Sequence, residues 1–330
     1  MNILVRLPNW LGDMVMATAF IKELRKLEPE ATIDVIVKKE IAEIADMIPG
    51  ITDVYGFNKN NHKSIGGAIS FGKQIKKQKK YDLYFCLPNS FSSAAMGFAA
   101  GATKRVGFAK ELRTIWLNTT YTLVKTGHRT ERYAYLLERY YKTTLTNLKV
   151  ELDTPPKKVE GTDPAKKTII LNFNSEASAH RMPVDKAIYI TVTLMENIPA
   201  NYVFIGAPKE TIFVDSIHTL LPEPDKVINL AGKTNLIELA GILKGADLVI
   251  STDSGPGHLS NALGTPTISY IGAADYTETI PYNRQNAEMV KTSGLPCMPC
   301  VKNTCKFGVP KCLLQLDEME IVSKAQKLLY

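Results

Sequence analysis

Small and polar residues late in the chain have the composition of an anion-binding site. An apolar stretch typical of a buried strand runs into Asp253-Ser254-Gly255, and a helical pattern follows. Asp253 or Ser254 is suited to cap that helix, while Gly255 lets a ligand approach the backbone. The free N–H groups through Gly257 and the positive end of the helix dipole favour a phosphate, and His258 adds a donor. A capped helix without a ligand is the alternative, and these residues alone do not decide between the two.

A carboxylate at the start of the first predicted helix is the candidate general base. An apolar strand at 3–7 ends at Pro8, Gly12 provides a tight turn, and Asp13 opens the helix. Held there, Asp13 can take a proton from a substrate hydroxyl, and capping of the helix is its alternative role. No Gly-x-Gly-x-x-Gly follows this strand or the later strand at 168–173, which argues against an NAD enzyme.

The loop after the predicted strand at 168–173 carries two further side chains that bind phosphate in many proteins. Ser175 offers a hydroxyl, and Arg181 offers a planar guanidinium whose shape matches phosphate oxygens. A solvated loop without a ligand is the alternative for this segment taken alone.

Four of the five cysteines lie within sixteen residues near the end of the chain. They are Cys297, Cys300, Cys305 and Cys312, and four thiolates can hold one tetrahedral Zn²⁺. The spacing is tighter than in a zinc ribbon, and disulfides are disfavoured in a cytosolic chain. A structural zinc site and reduced or redox-labile thiols therefore both stay open. Cys86 stands alone after an apolar run and is predicted to be a buried small hydrophobe.

The elements that would position these residues alternate between strand and helix. Apolar strands and amphipathic helices follow one another from the N-terminus onward, which is typical of a doubly wound parallel sheet. A Pro-, Gly- and charge-rich segment at 153–164 interrupts this pattern, after which it restarts. The sequence therefore predicts two Rossmann-like α/β domains joined by a linker. Ligands of such sheets bind beyond the carboxyl ends of the strands, so we expect the site in a cleft between the domains.

Composition and charge limit the class of protein. The chain has 330 residues, 45% of them hydrophobic and 22% charged, which is typical of a globular protein with room for two cores. No apolar run approaches the ~20 residues that cross a bilayer, and signal-peptide features are lacking, so we expect a cytoplasmic protein. The net charge of +7 divides into +9 for residues 1–160 and −2 for residues 161–330. A basic first half favours an acidic partner, but no aromatic-interleaved basic motif indicates a nucleic-acid fold.

Taken together, these segments resemble glycosyltransferase family 9, the lipopolysaccharide heptosyltransferases, over nearly the whole chain. Residues 9–16 match the family's Gly-Asp opening, and residues 253–263 match its Asp-Ser-Gly-x-x-His-x-x-Ala-Ala-Leu motif with Asn in place of the first Ala. Between them, residues 105–108 with Glu111 and Arg113, and then residues 128–133, are similar to the family's acceptor-domain loop region. The Cys-x-Pro-Cys segment is also seen in many relatives.

The resemblance implies a GT-B fold. Residues 1–155 would bind the acceptor, residues 156–315 would bind the nucleotide-sugar, and a helix at 316–330 would pack back on the first domain. It implies ADP-L-glycero-β-D-manno-heptose as donor and the heptose-I residue of the Kdo–lipid A inner core as acceptor. Transfer would be inverting, with Asp13 as the base. The first turn of the helix after Asp253 would stabilise the leaving ADP.

Further roles follow from the same resemblance. Asp253 is an anion, so it would contact hydroxyls of the donor sugar or cap the helix, and Arg181 would stabilise the leaving phosphate. No Asp-x-Asp occurs in the chain, in line with a fold that does not anchor its nucleotide through a protein-bound metal. No cofactor is implied beyond the ADP-sugar, which is a substrate.

Some positions depart from the family's pattern. Where relatives have Lys-x-Trp-Pro, this chain has His-Arg-Met-Pro, so His180 replaces the lysine that would contact phosphate and Arg181 stands beside it. A Gly-Ala-Pro-Lys-Glu segment resembles a family loop whose Glu contacts the donor, and Lys209 or Glu210 occupies that position. Thr234 is a further donor-loop candidate. These differences leave heptose or another sugar open as the transferred group.

The resemblance also gives the basic first half a reason. The acceptor carries carboxylates and phosphates and lies in the inner leaflet, so we expect peripheral contact with the cytoplasmic face of the inner membrane and no nucleic-acid partner. Competing interpretations are a GT-B transferase or epimerase that uses another nucleotide-sugar and, outside enzymes, a zinc-dependent interaction module.

Overall fold

The computed structural model describes residues 1–58, 64–124 and 126–330, and the side chain of Glu111 lies outside this description. The chain divides into two compact units, Met1–Asp153 and Thr154–Tyr330, and the division falls two residues before the predicted boundary at 155. Each unit has one six-stranded parallel sheet, so the predicted fold class is confirmed. In the part of the chain described, no helix combines the length and apolar character that crossing a bilayer requires.

The sheet of the first unit is built from strands that the apolar runs of the sequence predict only in part. Its strands are β1 (Asn2–Arg6), β2 (Thr32–Lys38), β3 (Val54–Phe57), β4 (Leu83–Cys86), β5 (Lys104–Ala109) and β6 (Thr119–Thr122). Their order is β3-β2-β1-β4-β5-β6. The central strand β4 is buried at every position, which is typical of a parallel sheet covered on both faces. The segment 105–108, which we expected to be a loop, lies in β5.

Glycine residues, which have no side chain, let helices of the first unit pack closely on their neighbours. They are α1 (Leu11–Met16), α2 (Thr18–Leu27), α3 (Ile65–Gln78), α4 (Phe91–Ala99) and α5 (Arg129–Tyr141), with short 3₁₀ helices at Lys39–Met47 and Glu111–Ile115. A Cβ at Gly72 of α3 would lie 2.5 Å from the carbonyl oxygen of Met96 in α4. A Cβ at Gly97 would lie 2.1 Å from the ring of Tyr84. Both contacts require glycine.

One lysine at the C-terminal end of α3, in the Lys-rich segment 73–80, has a structural role. Asp34 on β2 is fully buried and accepts hydrogen bonds from Lys79 Nζ at 2.7 Å and Tyr81 OH at 2.5 Å. A buried carboxylate needs such partners, because its charge is costly to remove from water. Lys76 and Lys77 are exposed instead. The lysines of the segment 73–80 are therefore solvated only in part.

The second unit repeats the architecture. Its strands are β7 (Lys167–Asn172), β8 (Ala200–Phe204), β9 (Val227–Asn229), β10 (Leu248–Thr252), β11 (Thr267–Ile271) and β12 (Ala287–Lys291), in the order β12-β11-β10-β7-β8-β9. In the central pair, Asn172 of β7 lies beside Ser251 of β10. The loops that follow β7 and β10, which carry the predicted phosphate-binding residues, therefore leave the sheet side by side.

The helices of the second unit include the last helix of the chain, which contributes to this unit's core. They are α6 (Val184–Asn197), α7 (Thr211–Thr219), α8 (Leu236–Gly245), α9 (Gly255–Ala262), α10 (Tyr276–Thr279), α11 (Lys311–Leu314) and α12 (Glu318–Leu329). The last helix, α12, belongs to the second unit, because its buried residues Ile321, Val322 and Ala325 form part of that unit's core. Its packing on the first domain, which the resemblance implies, stays a prediction. Its N-terminus is fixed by Lys186 of α6, which pairs with Glu318.

Candidate active site

In the first unit, a buried arginine shapes the loop between β1 and α1. Arg6 is 1% exposed, and its Nη1 donates to the carbonyl oxygens of Leu7 at 2.6 Å and Ile36 at 3.1 Å. Its Nη2 donates to the side-chain oxygen of Asn9. Burial lowers the pKa of the Arg6 guanidinium, and these acceptors offset part of the cost of burying its charge. The loop that leads to Asp13 is thereby tied to the sheet.

Asp13 lies in the first turn of α1, and a second arginine binds it. Its side chain is 15% exposed, and Arg129, the first residue of α5, donates from Nη1 to Asp13 Oδ1 at 2.6 Å. A charge-assisted hydrogen bond of this length fixes the orientation of the carboxylate while engaging one of its oxygens. Trp10 occupies the N-cap of α1, so capping is not the role of Asp13.

The N-terminus of α5 holds Arg129 in place. His128 is the N-cap residue, and Glu131 Oε2 accepts from the His128 N–H at 3.0 Å, which completes a capping box. One turn further on, Tyr133 lies close enough to Asp13 to be affected by its charge. Burial, and after it the negative charge of Asp13, raises the pKa of the Tyr133 phenol well above its usual value. The hydroxyl near the carboxylate therefore stays protonated at neutral pH.

Another buried arginine joins the ends of β4 and β5. Arg113 is 0% exposed, and it donates from Nε to the Phe108 carbonyl at 2.7 Å and from Nη1 to the Pro88 carbonyl at 2.5 Å. A Cβ at Gly107 would lie 2.9 Å from Leu117 and 3.4 Å from Arg113 Nη2, so glycine makes room for this arrangement. Within the segment 105–113, Arg113 therefore supports the backbone.

In the second unit, two asparagines connect the ends of β7 and β10. Asn172 Nδ2 donates to Ser251 Oγ at 2.9 Å and to Ser254 Oγ at 3.0 Å. Asn174 Nδ2 donates to Asn172 Oδ1 at 3.1 Å and to the Ile205 carbonyl at 2.7 Å. Asn174 Oδ1 is buried and has no hydrogen-bond partner among the described residues. The network holds the loop before α9 in one arrangement.

The first turn of α9 is left open by this network. Ser254 has the backbone of an N-cap residue, with φ −153° and ψ 173°, but no side-chain hydrogen bond caps the helix in the described chain. Its Oγ donates to the Thr252 carbonyl at 3.2 Å and accepts from Asn172 instead. Gly255 begins the helix, and a Cβ at Gly257 would contact the side chain of Ser251 at 3.4 Å. Neither Asp253 nor Ser254 therefore caps α9, and uncapped N–H groups are what an anion site requires.

Asp253 lies between two histidines beside this helix terminus. Its side chain is 7% exposed, with Oδ1 3.6 Å from His258 Nε2 and Oδ2 3.9 Å from His180 Nδ1. Thr279 Oγ1 donates to Oδ2 at 3.4 Å. The two histidine distances are too long for direct hydrogen bonds. The structure therefore brings together His180 and His258, which are far apart in the sequence.

The loop after β7 folds back on itself and is not simply solvated. Arg181 donates to the Ser175 carbonyl from Nη2 at 2.9 Å and from Nε at 3.2 Å. Its guanidinium carbon lies 5.3 Å from the ring centroid of Phe213, a cation–π distance. Ser175 is itself buried, and the Ala179 N–H donates to the Asn303 carbonyl at 3.1 Å. Arg181 and Ser175 are thus brought together, through the serine's carbonyl oxygen.

The donor-loop candidates have separate roles. Glu210 Oε2 accepts from the Ala207 N–H at 2.8 Å and closes a local turn. Lys209 Nζ lies 3.2 Å from Glu176 Oε1, so it links this turn to the loop after β7. Thr234 is half-buried and precedes the N-cap residue of α8. Of these candidates, the structure brings Lys209 to the loop that holds Ser175.

The clustered cysteines line one cavity of about 280 Å³ in the second unit. Cys297, Cys300 and Cys305 are half-buried, Cys312 is buried, and all of them are free thiols. Burial raises the pKa of the Cys312 thiol. No three Cys, His, Asp or Glu side chains within the described ranges come together as metal ligands, so the structure does not assemble the four thiols as a zinc site.

Several residues described above were missed in the sequence, because their partners are distant along the chain or their signals are weak. Arg129 reaches Asp13 across 116 positions, and Asn172 reaches Ser251 across 79. Arg6 lies at the end of an apolar strand, and its pattern indicates only a strand residue. A charged residue inside such a strand, and Asn at the end of another, are the signals that could have identified Arg6 and Asn172, because buried polar groups need partners.

Two parallel α/β units, with an oriented carboxylate after the first strand of one and an open helix terminus in the other, are features of GT-B glycosyltransferases. A solved structure of Escherichia coli ADP-heptose LPS heptosyltransferase II has the same fold, with a TM-score of 0.83 and 23% identity, covering 100% of this chain and 98% of that one. The expected GT-B fold is therefore confirmed.

Sequence comparisons agree with the fold. A profile of glycosyltransferase family 9 (heptosyltransferase) matches residues 68–310. Lipooligosaccharide heptosyltransferase 2 of Campylobacter jejuni is 27% identical, covering 100% of this chain and 98% of that protein. Lipopolysaccharide heptosyltransferase 2 of Escherichia coli is 25% identical, covering 86% of each. The chain belongs to glycosyltransferase family 9 and is an enzyme of that family.

Proposed function

We propose that the chain transfers L-glycero-D-manno-heptose from ADP-heptose to the heptose-I residue of the Kdo–lipid A inner core in lipopolysaccharide biosynthesis. The observation that carries the proposal is the open first turn of α9, which suits the pyrophosphate of a nucleotide-sugar. The names of the relatives, heptosyltransferases of lipopolysaccharide and lipooligosaccharide, support the sugar and the acceptor.

The donor phosphates bind at the N-terminus of α9, where Gly255 offers its N–H and His258 contributes a donor from the same turn. Pro256 has no N–H, and the Gly257 N–H donates to the Ser254 carbonyl at 3.2 Å. His180 adds a second imidazole in place of the lysine of relatives. Asp253, which lies 3.6 Å from His258 and 3.9 Å from His180, orients both rings and contacts hydroxyls of the donor sugar. Arg181, which donates to the Ser175 carbonyl in the loop after β7, stabilises the charge of the leaving diphosphate.

Asp13 is the general base of the transfer. The acceptor hydroxyl oxygen forms a bond to the anomeric carbon, the bond from that carbon to the β-phosphate oxygen breaks, and the electron pair leaves with ADP. The hydroxyl proton passes to Asp13. Attack from the face opposite ADP inverts the anomeric centre through an oxocarbenium-like transition state. Since Arg129 binds Oδ1, the proton goes to Oδ2.

The reaction as proposed requires no metal or other cofactor. The helix dipole of α9 and the cations around it supply the charge that stabilises the leaving diphosphate. A structural zinc ion at the cysteine cavity stays a separate prediction, which metal analysis of the purified protein tests.

We further propose a cytoplasmic enzyme in peripheral contact with the inner membrane of a Gram-negative cell. The acceptor is a lipid-linked, anionic oligosaccharide, and the first unit carries a net charge of +8 against −1 for the second. A positive acceptor domain favours encounter with a negative leaflet. Nucleic acid is not a partner in this proposal.

The deciding experiment measures transfer from ADP-heptose to purified heptose-I acceptor. We expect product with the wild type, and Asp13→Asn lowers kcat by roughly 10²- to 10⁴-fold, the range for loss of a general base. Asp46→Asn is the matched control, because Asp46 is an exposed carboxylate of the same unit. Normal turnover by the Asp13 variant contradicts the assignment of the base, and no turnover by the wild type contradicts the donor or the acceptor.

One observation favours a second candidate, a GT-B transferase or epimerase with another nucleotide-sugar. His180 stands where relatives have lysine, so the contact with the donor differs from theirs. Calorimetry with ADP, UDP and GDP separates the two candidates. Tightest binding of ADP supports ADP-heptose, whereas tightest binding of UDP or GDP favours the second.

A further inference from the structure

Three large apolar side chains of the first unit are exposed close together. Leu112 is 76% exposed, Ile115 is 66% exposed and Phe98 is 49% exposed. Leu112 and Ile115 belong to the 3₁₀ helix Glu111–Ile115, and Phe98 belongs to the last turns of α4. We call these three residues the apolar patch. Single exposed apolar side chains are common on soluble proteins, whereas a group of them marks a contact surface.

The apolar patch is held by the fold beneath it. Trp116, directly after Ile115, packs on Phe98 with a ring-centroid distance of 4.9 Å, which joins the two segments. Between Leu112 and Ile115, buried Arg113 is fixed to the ends of β4 and β5. These contacts fix the backbone on both sides of the patch. Because the patch is already ordered, binding there costs little conformational entropy.

Cations border the apolar patch. The Arg105 guanidinium lies 5.4 Å from the ring centroid of Phe98. Lys76 of α3 lies against Gly101, where a Cβ would be 3.0 Å from Lys76 Cδ, and the Gly101 N–H donates to the Phe98 carbonyl. Lys110 is exposed immediately before the 3₁₀ helix. Apolar side chains bordered by Arg and Lys are typical of surfaces that lie at the boundary of headgroups and acyl chains.

The patch begins at the edge of the sheet that carries the proposed base. Leu112 follows the carboxyl end of β5, and Asp13 follows the carboxyl end of β1. One strand, β4, lies between them, so the two strand ends are roughly 10 Å apart at the usual strand spacing. An acceptor anchored in a lipid surface at the patch therefore lies within reach of Asp13.

We propose that the apolar patch is the surface by which this chain docks on a bilayer of anionic phospholipids. Leu112 and Ile115 enter the acyl boundary, and Lys76 and Lys110 contact headgroup phosphates, while Arg105 supports the patch through its hydrogen bonds to the Trp116 and Ala102 carbonyls, both at 2.7 Å. This inference rests on the proposed function, whose acceptor is lipid-linked. A stable protein partner would bury roughly 800 Å² per side, far more than three side chains supply, which favours a membrane over a protein as the occupant.

Vesicle co-sedimentation tests the proposal. Wild-type protein and the double variant Leu112→Ser/Ile115→Ser are mixed with vesicles of phosphatidylglycerol and phosphatidylethanolamine. We expect the partition coefficient of the variant to fall by roughly tenfold or more, since two large apolar side chains no longer enter the bilayer. The matched control is Ile212→Ser/Leu220→Ser, which removes side chains of the second unit that are 85% and 62% exposed. This control binds as the wild type does.

Unchanged vesicle binding by the double variant, or an equal loss in the control, overturns the proposal. So does light scattering that shows a wild-type dimer and a monomeric variant, because the patch is then a self-association surface. Transfer to a deacylated, soluble acceptor provides the second measurement, and the double variant keeps its kcat/KM there. Loss of that activity assigns the patch to acceptor binding and also overturns the proposal.

The two proposals fail in distinguishable ways. Vesicle binding requires no donor and no transfer, so a wild type that binds vesicles without transferring heptose contradicts only the proposed function. A wild type that transfers heptose to the soluble acceptor without binding vesicles contradicts only the docking surface.

Discussion

The hydrogen bond from Arg129 to Asp13 joins residues 116 positions apart and sets what the carboxylate can do. A guanidinium on one oxygen fixes the side chain, and it also withdraws that oxygen from proton transfer. Arg129 is therefore a positioning residue in the proposed mechanism. It acts through Asp13.

Arg129→Ala should lower kcat for heptose transfer by roughly 10²-fold, because a misplaced base loses the alignment that proximity provides. KM for ADP-heptose stays unchanged, since donor contacts are proposed for the second unit, and Arg129→Lys restores part of kcat. Steady-state kinetics with varied donor measure both quantities. Arg139→Ala, an exposed arginine of the same helix, is the control. Equal kcat for the two alanine variants would show that Arg129 has no positioning role.

Two of the five cysteine thiols are buried, and burial changes their reactivity. Burial raises the pKa of Cys86 and of Cys312, so less thiolate is present at a given pH and both react slowly. We expect a chromogenic disulfide reagent at pH 8 to label Cys297, Cys300 and Cys305 first, Cys312 more slowly, and Cys86 only on unfolding. Raising the pH toward 9 speeds labelling of Cys312 in particular. Rapid labelling of Cys86 in native protein contradicts its burial.

The sequence predicted the position of the site residues better than their contacts. Asp13 and His258 were each predicted in the first turn of the helix that follows a strand, near where parallel sheets place ligand-binding groups, and both lie there. Their partners could not be predicted, because the meeting of Asp253 with His180 depends on the neighbouring positions of β7 and β10 in the sheet. Ser254 does stand at the N-cap of α9, as predicted, but no side chain caps the helix within the described residues, and the Ser254 oxygen accepts from Asn172 instead.

At the scale of elements, the sequence predicts the buried central strands and the edge strand β9, but it misses the interior strand β5 and the other three edge strands. Strands such as β4 and β10 are buried along their whole length and read as continuous apolar runs. The edge strands β3, β6 and β12 were missed, because a strand paired on one side needs fewer apolar residues, as in Thr-Thr-Tyr-Thr of β6. Helix α9 was predicted within one residue at each end, since strand, Gly-Pro and apolar spacing agree there.

The contact of α4 with β4 gives a prediction about stability. Gly97→Ala should lower the free energy of unfolding by roughly 1–3 kcal/mol or more, because the added Cβ would lie 2.1 Å from the ring of Tyr84 in a filled core. Gly66→Ala in the first turn of α3 is the matched control, with only Ser64 Oγ at 3.4 Å, and it should be neutral or stabilising by up to about 1 kcal/mol. Urea denaturation measures both, and equal midpoints would contradict the packing described.

At the scale of the whole molecule, charge is divided between the units. The first unit carries +8 and the second −1, so electrostatic attraction to an anionic surface acts on one of them. Within the first unit, Lys76 and Lys77 are free to contribute, whereas Lys79 is committed to buried Asp34. A charge-reversal variant that includes Lys79 would lower the stability of the fold as well as the attraction to an anionic surface, and the two effects could not be separated.

Lys76→Glu/Lys77→Glu should weaken binding to anionic vesicles by roughly tenfold or more, at about 1 kcal/mol per lysine near the surface. The difference shrinks as salt rises, because screening shortens the range of the attraction. Flotation at low and high salt measures it. Lys158→Glu/Lys302→Glu, two exposed lysines of the second unit, leaves binding unchanged. An effect that persists at 1 M salt would rule out an electrostatic cause.

The place of α12 in the core of the second unit has a consequence for synthesis. Ile321, Val322 and Ala325 complete a core whose last strand, β12, ends at Lys291. A ribosome that adds about 5–20 residues per second reaches residue 329 about 2–8 s after residue 291. During that interval the first unit already has all of its 153 residues, while the nascent second unit presents an uncovered apolar surface. Chaperone demand during translation therefore falls on the half of the molecule that is finished last.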